Sequence, residues 1–211
     1  MTTTLHIKNM VCSRCIRVVR EELTSLGLNV QNVTLGEVVV DGDHLDRTIL
    51  KERLHANGFE LLETDAAKLV EIIKTLIIDL VQSEDLSEMH ENLSDIIAKR
   101  VGRDVGRDYA TLSHLFSSVE AVTIERYFIL QKIERAKELL TYGERTASEI
   151  SYSLGYSSPA HLSRQFKQET GFTPSEFKRS RAYQHRIPLE EIGVRNSFGN
   201  ISKQATETQA E

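Results

Sequence analysis

Short apolar runs alternate with helical patterns along the first 64 residues. Residues 5–7 and 59–62 are typical of short strands, and residues 28–35 and 38–40 predict a hairpin around Gly36. Two helices are predicted between them, one ending before Gly27 and one over residues 43–56. Their apolar positions are Ile16, Val19, Leu23 and Leu26 in the first, and Leu45, Ile49 and Leu54 in the second. The order β-α-β-β-α-β predicts a ferredoxin-like α+β domain over residues 1–64.

Residues 64–82 form a strongly amphipathic helical pattern. The apolar positions, which cover one broad face, are Leu69, Ile72, Ile73, Leu76, Ile77, Leu80 and Val81. Two interpretations stay open: a seam for dimerisation or for coupling between domains, and a helix buried on a neighbouring domain of the same chain, which we favour. We assign residues 65–91 to this connecting helix and its linker.

A repeat dominates the helical segment that follows. The pattern A-x-L-S-x-x-F occurs at residues 110–116 and again at residues 160–166, an offset of 50. Upstream, Ser94-Asp95-Ile96 corresponds to Ser148-Glu149-Ile150 at an offset of 54. The four-residue difference is one copy of a tandem VGRD at residues 101–108. Similarity of this kind indicates a duplicated structural unit.

Each copy is predicted to be a helix, a short turn and a second helix. In the second copy Gly155 makes the turn, and Ser158 followed by Pro159 begins the next helix. On that helix Leu162 and Phe166 are four residues apart, so they share a face and pack inward. The positions left facing solvent are Ala160, His161, Ser163, Arg164 and Lys167.

Local capping patterns predict where the neighbouring helices begin. Capping boxes are expected at two places, Thr146 with Glu149 and Thr173 with Glu176. Thr123 begins a long helix that ends near Gly143, and Asn92 can cap the helix that opens the first copy.

The exposed residues of the second copy suit a DNA major groove, which accepts small, hydrogen-bonding and cationic side chains. We expect Arg164 to bond guanine, and His161 and Ser163 to reach base edges or phosphates. The cations expected to hold the DNA backbone are Lys167, Lys178, Arg179 and Arg181. A merely solvated helix face is the alternative, but the duplication, the caps and the local positive charge together favour DNA binding.

The run GYSSPAHLSRQFK at residues 155–167, followed by GFTPSEF at residues 171–177, closely resembles the signature of AraC-type transcription regulators. The resemblance covers about residues 92–182. It implies an all-α domain of two helix-turn-helix subdomains joined by a long helix, residues 123–140, with recognition helices in successive major-groove segments about 34 Å apart. We assign residues 92–183 to this domain and residues 184–211 to a flexible tail.

The first copy departs from that pattern. Its exposed positions are Ala110, Ser113 and His114, with no Arg or Lys, so weaker or less specific DNA contact is expected there. The extra VGRD is expected to lengthen the turn by Gly106, Arg107 and Asp108. Two outcomes stay open: a harmless loop, and an extension of the preceding helix that tilts the recognition helix.

Charge and composition narrow the function classes. The net charge is −5, but residues 91–186 carry +3, against −6 for residues 1–90 and −2 for residues 187–211. Only the repeated segment is net positive, as phosphate contact requires. No apolar run approaches the roughly 20 residues of a membrane span. The N-terminal residues do not predict a secretion signal. Two cysteines are too few for a disulfide framework. We therefore expect a cytoplasmic protein, and the chain shows no enzyme-like acid, base or nucleophile constellation besides the thiol pair.

Met10-Val11-Cys12-Ser13-Arg14-Cys15 lies at a predicted strand-to-helix junction. The helix N-terminus, with Arg14 and Arg17, favours thiolate, and two soft thiolates without a third ligand suit Cu(I) better than Zn(II). The pattern M-x-C-x-x-C in such a fold resembles heavy-metal-associated (HMA) domains of copper chaperones and transport ATPases, over about residues 3–64. It departs at Asn9, where that family usually has Gly. A thioredoxin-like site is rejected because no proline precedes Pro159.

These observations predict a sequence-specific DNA-binding transcription regulator of the AraC type, in which Cys12 and Cys15 respond to Cu(I) or to thiol oxidation. In the first alternative, the N-terminal module serves only dimerisation or interaction and its cysteines bind nothing. A copper chaperone and a protein-interaction adaptor are the further alternatives. The expected partner is double-stranded DNA, with RNA polymerase and a second copy of the chain as further candidates and no membrane.

Overall fold

The computed structural model describes residues 2–42, 46–83, 85–179, 189 and 192. The chain divides into two compact units, Met1–Leu76 and Ile77–Glu211, with the division inside the predicted connecting helix. The predicted tail, residues 184–211, lies outside the described residues apart from Leu189 and Ile192, as does Arg181.

The first unit has the predicted order of strands and helices. The elements are β1 (Thr2–Lys8), α1 (Ser13–Ser25), β2 (Val30–Thr34), β3 (Glu37–Asp41), α2 (Arg47–Ala56) and β4 (Glu60–Leu62). The four strands form an antiparallel sheet in the order β2-β3-β1-β4. Leu5 and Ile7 alternate with polar residues along β1 and join a core that includes Val19 and Leu23 of α1 and Leu54 of α2.

Helix α2 corrects one prediction from the sequence. Ile49, predicted on its apolar face, is 47% exposed, and Leu50 is buried with Leu54 instead. The helix begins at Arg47 rather than at residue 43, because the Asp46 side chain accepts hydrogen bonds from the backbone N–H groups at its N-terminus. Residues 43–45 lie outside the described part of the chain.

Helix α3 (Asp65–Ser83) is the predicted connecting helix, capped by the Thr64 hydroxyl, which accepts from the Ala67 N–H at 3.2 Å. Most of its predicted apolar positions are buried, with Ile72 and Leu76 half-buried. In the first unit, the Glu71 carboxylate accepts from the Asn9 N–H at 3.0 Å, next to the end of β1. The start of α3 therefore packs against a neighbouring part of the same chain, as the favoured interpretation predicted.

The second unit is helical over its described residues. A 3₁₀ turn, Leu86–Glu88, precedes α4 (Leu93–Ile97), a π-helical segment (Ala98–Gly102), α5 (Arg103–Val105), α6 (Tyr109–Glu120), α7 (Ile124–Tyr142), α8 (Ala147–Ser153), α9 (Pro159–Thr170) and α10 (Pro174–Arg179). The long helix α7 runs between the two copies of the repeat, as predicted.

The repeat is visible in the packing of the second unit. Leu112 and Phe116 of α6 are buried, as are their counterparts Leu162 and Phe166 of α9. Phe116 meets Tyr127 edge to face at 5.6 Å between ring centroids, and Phe166 meets Phe177 in the same way at 5.5 Å. Each residue of the first pair lies 50 positions before its counterpart in the second pair. The repeat predicted from the sequence therefore also repeats an aromatic contact in the core.

In the second unit, the predicted capping contacts are confirmed with one exception. Both capping boxes form, Thr146 with Glu149 and Thr173 with Glu176, and the side chains of Thr123 and Ser158 cap α7 and α9. Asn92 occupies the N-cap position of α4, but its side chain makes no capping hydrogen bond.

The tandem VGRD lengthens a helix and not the turn. The first copy's opening helix runs from Leu93 to Val105 through the π-helical segment, and its counterpart α8 has seven residues. A π turn holds more residues than an α turn and so absorbs part of the insertion. Three residues separate α5 from α6, against five between α8 and α9. The predicted longer turn is therefore wrong, and the alternative of an extended helix is confirmed.

Both opening helices end in the same geometry. Each stops at a left-handed glycine, Gly106 in the first copy and Gly155 in the second. The next N–H donates to a carbonyl five residues back, from Arg107 to Gly102 and from Tyr156 to Ser151, each at 3.0 Å. A Cβ at Gly102 would lie 2.4 Å from the Arg107 carbonyl oxygen, so this position requires glycine.

Candidate nucleic-acid interface

Helix α9 presents the predicted face to solvent. Leu162 and Phe166 are almost completely buried. Of the predicted solvent-facing residues, Ala160, His161, Arg164 and Lys167 are exposed and Ser163 is half-buried. The sequence therefore correctly separated the inward from the outward residues of this helix, because residues four apart share one helix face.

An ion pair ties the C-terminal end of α9 to the long helix α7. The two terminal nitrogens of the Arg126 guanidinium, Nη1 and Nη2, donate to the Glu169 carboxylate, with Nη2 at 2.6 Å from Oε2. The Glu169 side chain is 2% exposed, whereas that of Arg126 is 41% exposed. The fork of the guanidinium matches both carboxylate oxygens, which fixes the angle between the helices as well as their contact.

A second set of contacts supports the N-terminal end of α9. His161 Nδ1 lies 3.3 Å from the Ser157 hydroxyl, and its ring meets that of Tyr156 edge to face at 5.2 Å. The ammonium of Lys132, on α7, lies 4.0 Å from the Tyr156 ring centroid and donates to the Leu154 carbonyl at 3.2 Å. Burial lowers the pKa of Lys132 to about 8. The exposed imidazole thus rests on a buried aromatic ring that α7 holds in place.

The predicted backbone-binding cations of α10 are accessible. Lys178 and Arg179 are exposed in its last turn. Phe177 of α10 is buried and its ring meets that of Phe166 of α9, so this short helix is anchored while its cations face solvent.

Helix α6 shows the same face as α9 with different chemistry. Ala110 and His114 are exposed and Ser113 is half-buried, as predicted for the first copy. Thr111, which the sequence reasoning passed over, is also exposed and lies 50 residues before His161. The repeat offset, applied residue by residue, would have found it. The described α6 surface offers hydroxyl and imidazole groups and no cation.

The long helix α7 carries an unusual number of buried polar groups. Lys137 and Glu134 form an ion pair in which both side chains are 2% exposed. The Gln131 amide donates to the Tyr127 hydroxyl at 2.9 Å. Buried charges persist only when they are paired, so these contacts specify one arrangement of α7 within its unit.

The cysteine pair lies at the start of α1. Cys12 is the N-cap residue and is exposed, Cys15 is half-buried, and the two Sγ atoms are 3.3 Å apart. Burial raises the pKa of the Cys15 thiol and outweighs the hydrogen bonds from backbone N–H groups that lower it. The prediction that the helix N-terminus and the arginines favour thiolate is therefore wrong for Cys15.

The donor chemistry of this pair suits a soft metal, which Cys12 and Cys15 would hold through their two sulfurs. Among the described residues, no group of three or more His, Cys, Asp or Glu side chains is placed to hold a metal ion.

Comparison with known proteins identifies the helical segment. Residues 101–180 match the family described as "Helix-turn-helix domain". This part of the chain is therefore similar to helix-turn-helix domains. Within the described residues, no helix combines the length and the apolar character of a membrane span.

The relatives of this chain carry regulator names. An uncharacterized HTH-type transcriptional regulator of Staphylococcus aureus strain MSSA476 is 31% identical over 97 residues, which are 46% of this chain and 13% of that protein. The uncharacterized HTH-type transcriptional regulator in the cgkA 5' region of Pseudoalteromonas carrageenovora is 29% identical over 48% of this chain and 60% of its own length. The uncharacterized HTH-type transcriptional regulator YijO of Escherichia coli strain K12 is 23% identical over 65% and 52%.

Among solved structures, the C-terminal domain of AraT, a response regulator from Geobacillus stearothermophilus, matches 56% of this chain and 88% of its own with a TM-score of 0.45 and 19% identity. The chain spans well under two thirds of the Staphylococcus aureus relative's length. The helix-turn-helix match and these relatives both fall on the helical part of the chain, which is therefore similar to proteins named as HTH-type transcriptional regulators.

Proposed function

We propose that this chain is a cytoplasmic, sequence-specific DNA-binding transcription regulator of the AraC type, with α6 and α9 as its recognition helices. One observation carries the proposal: two helix-turn-helix copies expose equivalent faces, and the long helix α7 joins them. Its partners are double-stranded DNA and, for transcription control, RNA polymerase, with a second copy of the chain as a further partner. The proposal assigns no enzymatic activity.

The two recognition helices are expected to contribute unequally. On α9, Arg164 can bond a guanine through two nitrogens, and Lys167 can reach a phosphate. Lys178 and Arg179 of α10 add phosphate contacts beside it. On α6, the outward residues Ala110, Ser113 and His114 offer fewer and weaker contacts. The second copy should therefore dominate both affinity and base preference.

Selection of binding sequences from a random DNA library at physiological salt tests this function. We expect one enriched motif, with its most constrained half contacted by α9. Arg164→Ala should weaken binding by about 1–3 kcal/mol and relax the preference at one position, whereas Lys178→Ala should mainly lower the salt slope, by about one. Arg145→Ala, an exposed arginine outside α9 and α10, is the matched control and should change neither. No enriched motif, or an Arg164→Ala protein that behaves like the control, would refute the proposal.

We infer further that the first unit is a ferredoxin-like domain of the HMA kind, with Cys12 and Cys15 as its metal or thiol-sensing site. The element order, the sheet order and the 3.3 Å approach of the two sulfurs support this inference. The test is competition for Cu(I) against a chelator of known affinity, with the Cys12→Ser, Cys15→Ser protein as control. Equal copper uptake by both proteins would leave the alternative, an interaction or dimerisation module whose cysteines bind nothing.

A further inference from the structure

His161 is held in a defined orientation on the outward face of α9. Its Nδ1 atom lies 3.3 Å from the Ser157 hydroxyl, and its other ring nitrogen, Nε2, is not part of that contact. His161 is the third residue of the helix after the Ser158 cap, and its own N–H donates to the Ser158 hydroxyl at 3.2 Å. The N-terminal residues of a recognition helix are those that meet base edges.

The surroundings decide which ring nitrogen carries the proton. Ser157 precedes the N-cap, so Nδ1 faces the positive end of the helix dipole, where a lone pair is favoured over an N–H. In the tautomer with the proton on Nε2, the Ser157 hydroxyl donates to Nδ1, and we assign this tautomer to His161. In neutral imidazole one nitrogen donates and the other accepts, so in this tautomer Nε2 of the exposed His161 ring is the donor.

A buried layer keeps the imidazole in this orientation. The Tyr156 ring, which is buried, meets the His161 ring edge to face, at an angle of 88° between the ring planes. The Lys132 ammonium lies over the same tyrosine ring and is bonded to the carbonyl at the end of α8. The Tyr156 hydroxyl is buried and has no hydrogen-bond partner in the described part of the chain. Tyr156 therefore contacts His161 through its ring and not through its hydroxyl.

Resting on the proposed DNA-binding function, we propose that His161 is a specificity-determining residue that donates from Nε2 to the N7 atom of a purine in the major groove, with Ser157 and Tyr156 as its positioning residues. N7 is an acceptor in both adenine and guanine. His161 therefore selects a purine without distinguishing the two, unlike the guanine preference expected of Arg164.

The position of that purine follows from helix geometry. His161 and Arg164 are three residues apart, which places them on the same side of α9 about 4.5 Å apart along its axis. This distance is close to one step of about 3.4 Å between stacked base pairs. The purine should thus lie one or two base pairs from the guanine contacted by Arg164.

The experiment uses the full chain and the DNA motif returned by selection. Each purine of the motif is replaced in turn by its 7-deaza analogue, in which a C–H group takes the place of N7. For the wild-type protein we expect, besides the guanine contacted by Arg164, one neighbouring purine whose replacement weakens binding roughly tenfold. For His161→Ala, the same replacement should have no effect, and selection should return any base at that position.

Two variants separate positioning from folding. Ser157→Ala should lose part of the 7-deaza effect, because the imidazole is then free to turn over, while overall DNA affinity falls less than with His161→Ala. Tyr152→Phe is the matched control: it removes the hydroxyl of an exposed tyrosine on α8 that takes no part in the contacts of His161, and it should behave as wild type. Circular dichroism of every variant checks that the helices remain intact.

Several outcomes would overturn the inference while leaving the proposed function in place. One is a motif in which no purine other than the guanine assigned to Arg164 is sensitive to 7-deaza replacement. Another is a His161→Ala protein that keeps the wild-type sensitivity, which would mean that the imidazole contacts a phosphate or nothing. If selection returns no motif for any variant, the proposed function itself fails.

Discussion

The ion pair between Arg126 and Glu169 offers the sharpest test of how α9 is held. The Glu169 carboxylate is 2% exposed and both of its oxygens are bonded by one guanidinium. Arg126→Met removes the guanidinium charge and leaves the buried Glu169 carboxylate without this partner. Breaking a buried pair in this way costs about 3–5 kcal/mol. Because water can still reach the Arg126 side of the contact, we expect about 3 kcal/mol, the lower end of that range.

A double-mutant cycle separates the pair from the loss of side-chain packing. Glu169→Met alone removes the buried charge and leaves a half-exposed arginine that water can solvate, so it should cost less than Arg126→Met. The double variant should be more stable than Arg126→Met alone, with a coupling free energy of about 2 kcal/mol. Lys99→Met is the matched control, since its ion pair with Glu91 is solvent-exposed and should contribute at most about 1 kcal/mol.

The assay must report on the second unit. The chain contains no tryptophan, so urea unfolding is followed by far-ultraviolet circular dichroism and combined with hydrogen exchange of the peptide that covers α9. Arg126→Met should accelerate exchange in α9 before it affects the first unit. If its free energy of unfolding falls by no more than the roughly 0.5 kcal/mol of an ordinary surface substitution, the structural reasoning about Glu169 is wrong.

Three further predictions concern backbone strain, a buried lysine and the VGRD insertion. Ala121 caps α6 at a φ of 57°, and the equivalent residue of the second copy, Gly171, has a φ of 81°. Ala121→Gly should therefore raise the free energy of unfolding by up to about 1 kcal/mol, and Gly171→Ala should lower it by a similar amount. Urea unfolding measures both changes. Burial lowers the pKa of Lys132 to about 8 from 10.5, so the unfolded chain binds more protons between these values. The free energy of unfolding should rise by about 1 kcal/mol from about pH 7 to about pH 9, and Lys132→Met should abolish that component. Gly102→Ala should cost about 1–3 kcal/mol through its clash with the Arg107 carbonyl, and a melting temperature equal to that of wild type would contradict this.

Much of the helical unit follows from local patterns. Thr146 and Thr173 form their capping boxes with residues three positions ahead, and Ser158 caps α9 from the preceding position. Leu162 and Phe166 face inward because four residues make about one helical turn. Interactions at such short range depend little on the rest of the fold, so the sequence was sufficient to predict them.

Other features depend on which surfaces meet. Ile49 and Leu50 are adjacent apolar residues, and only the packing of α2 decides that Leu50 is buried. The insertion of VGRD was compatible with a loop or a longer helix. The longer helix ends at Gly106, because glycine adopts the left-handed φ there without strain. It also brings the Arg107 carbonyl close to Gly102, where the missing Cβ leaves room for it. The raised pKa of Cys15 likewise comes from burial that a helix N-terminus alone does not reveal.

By itself, the sequence determined the duplicated unit, its inward and outward faces and the start of nearly every helix in it, because periodicity and capping act within a few residues. Only the tertiary structure decided that Arg126 pairs with Glu169, 43 residues away, and that Lys132 lies beneath the ring supporting His161. Such pairings need two distant segments to be brought together in a low-dielectric interior, and no local pattern specifies which distant charge will arrive.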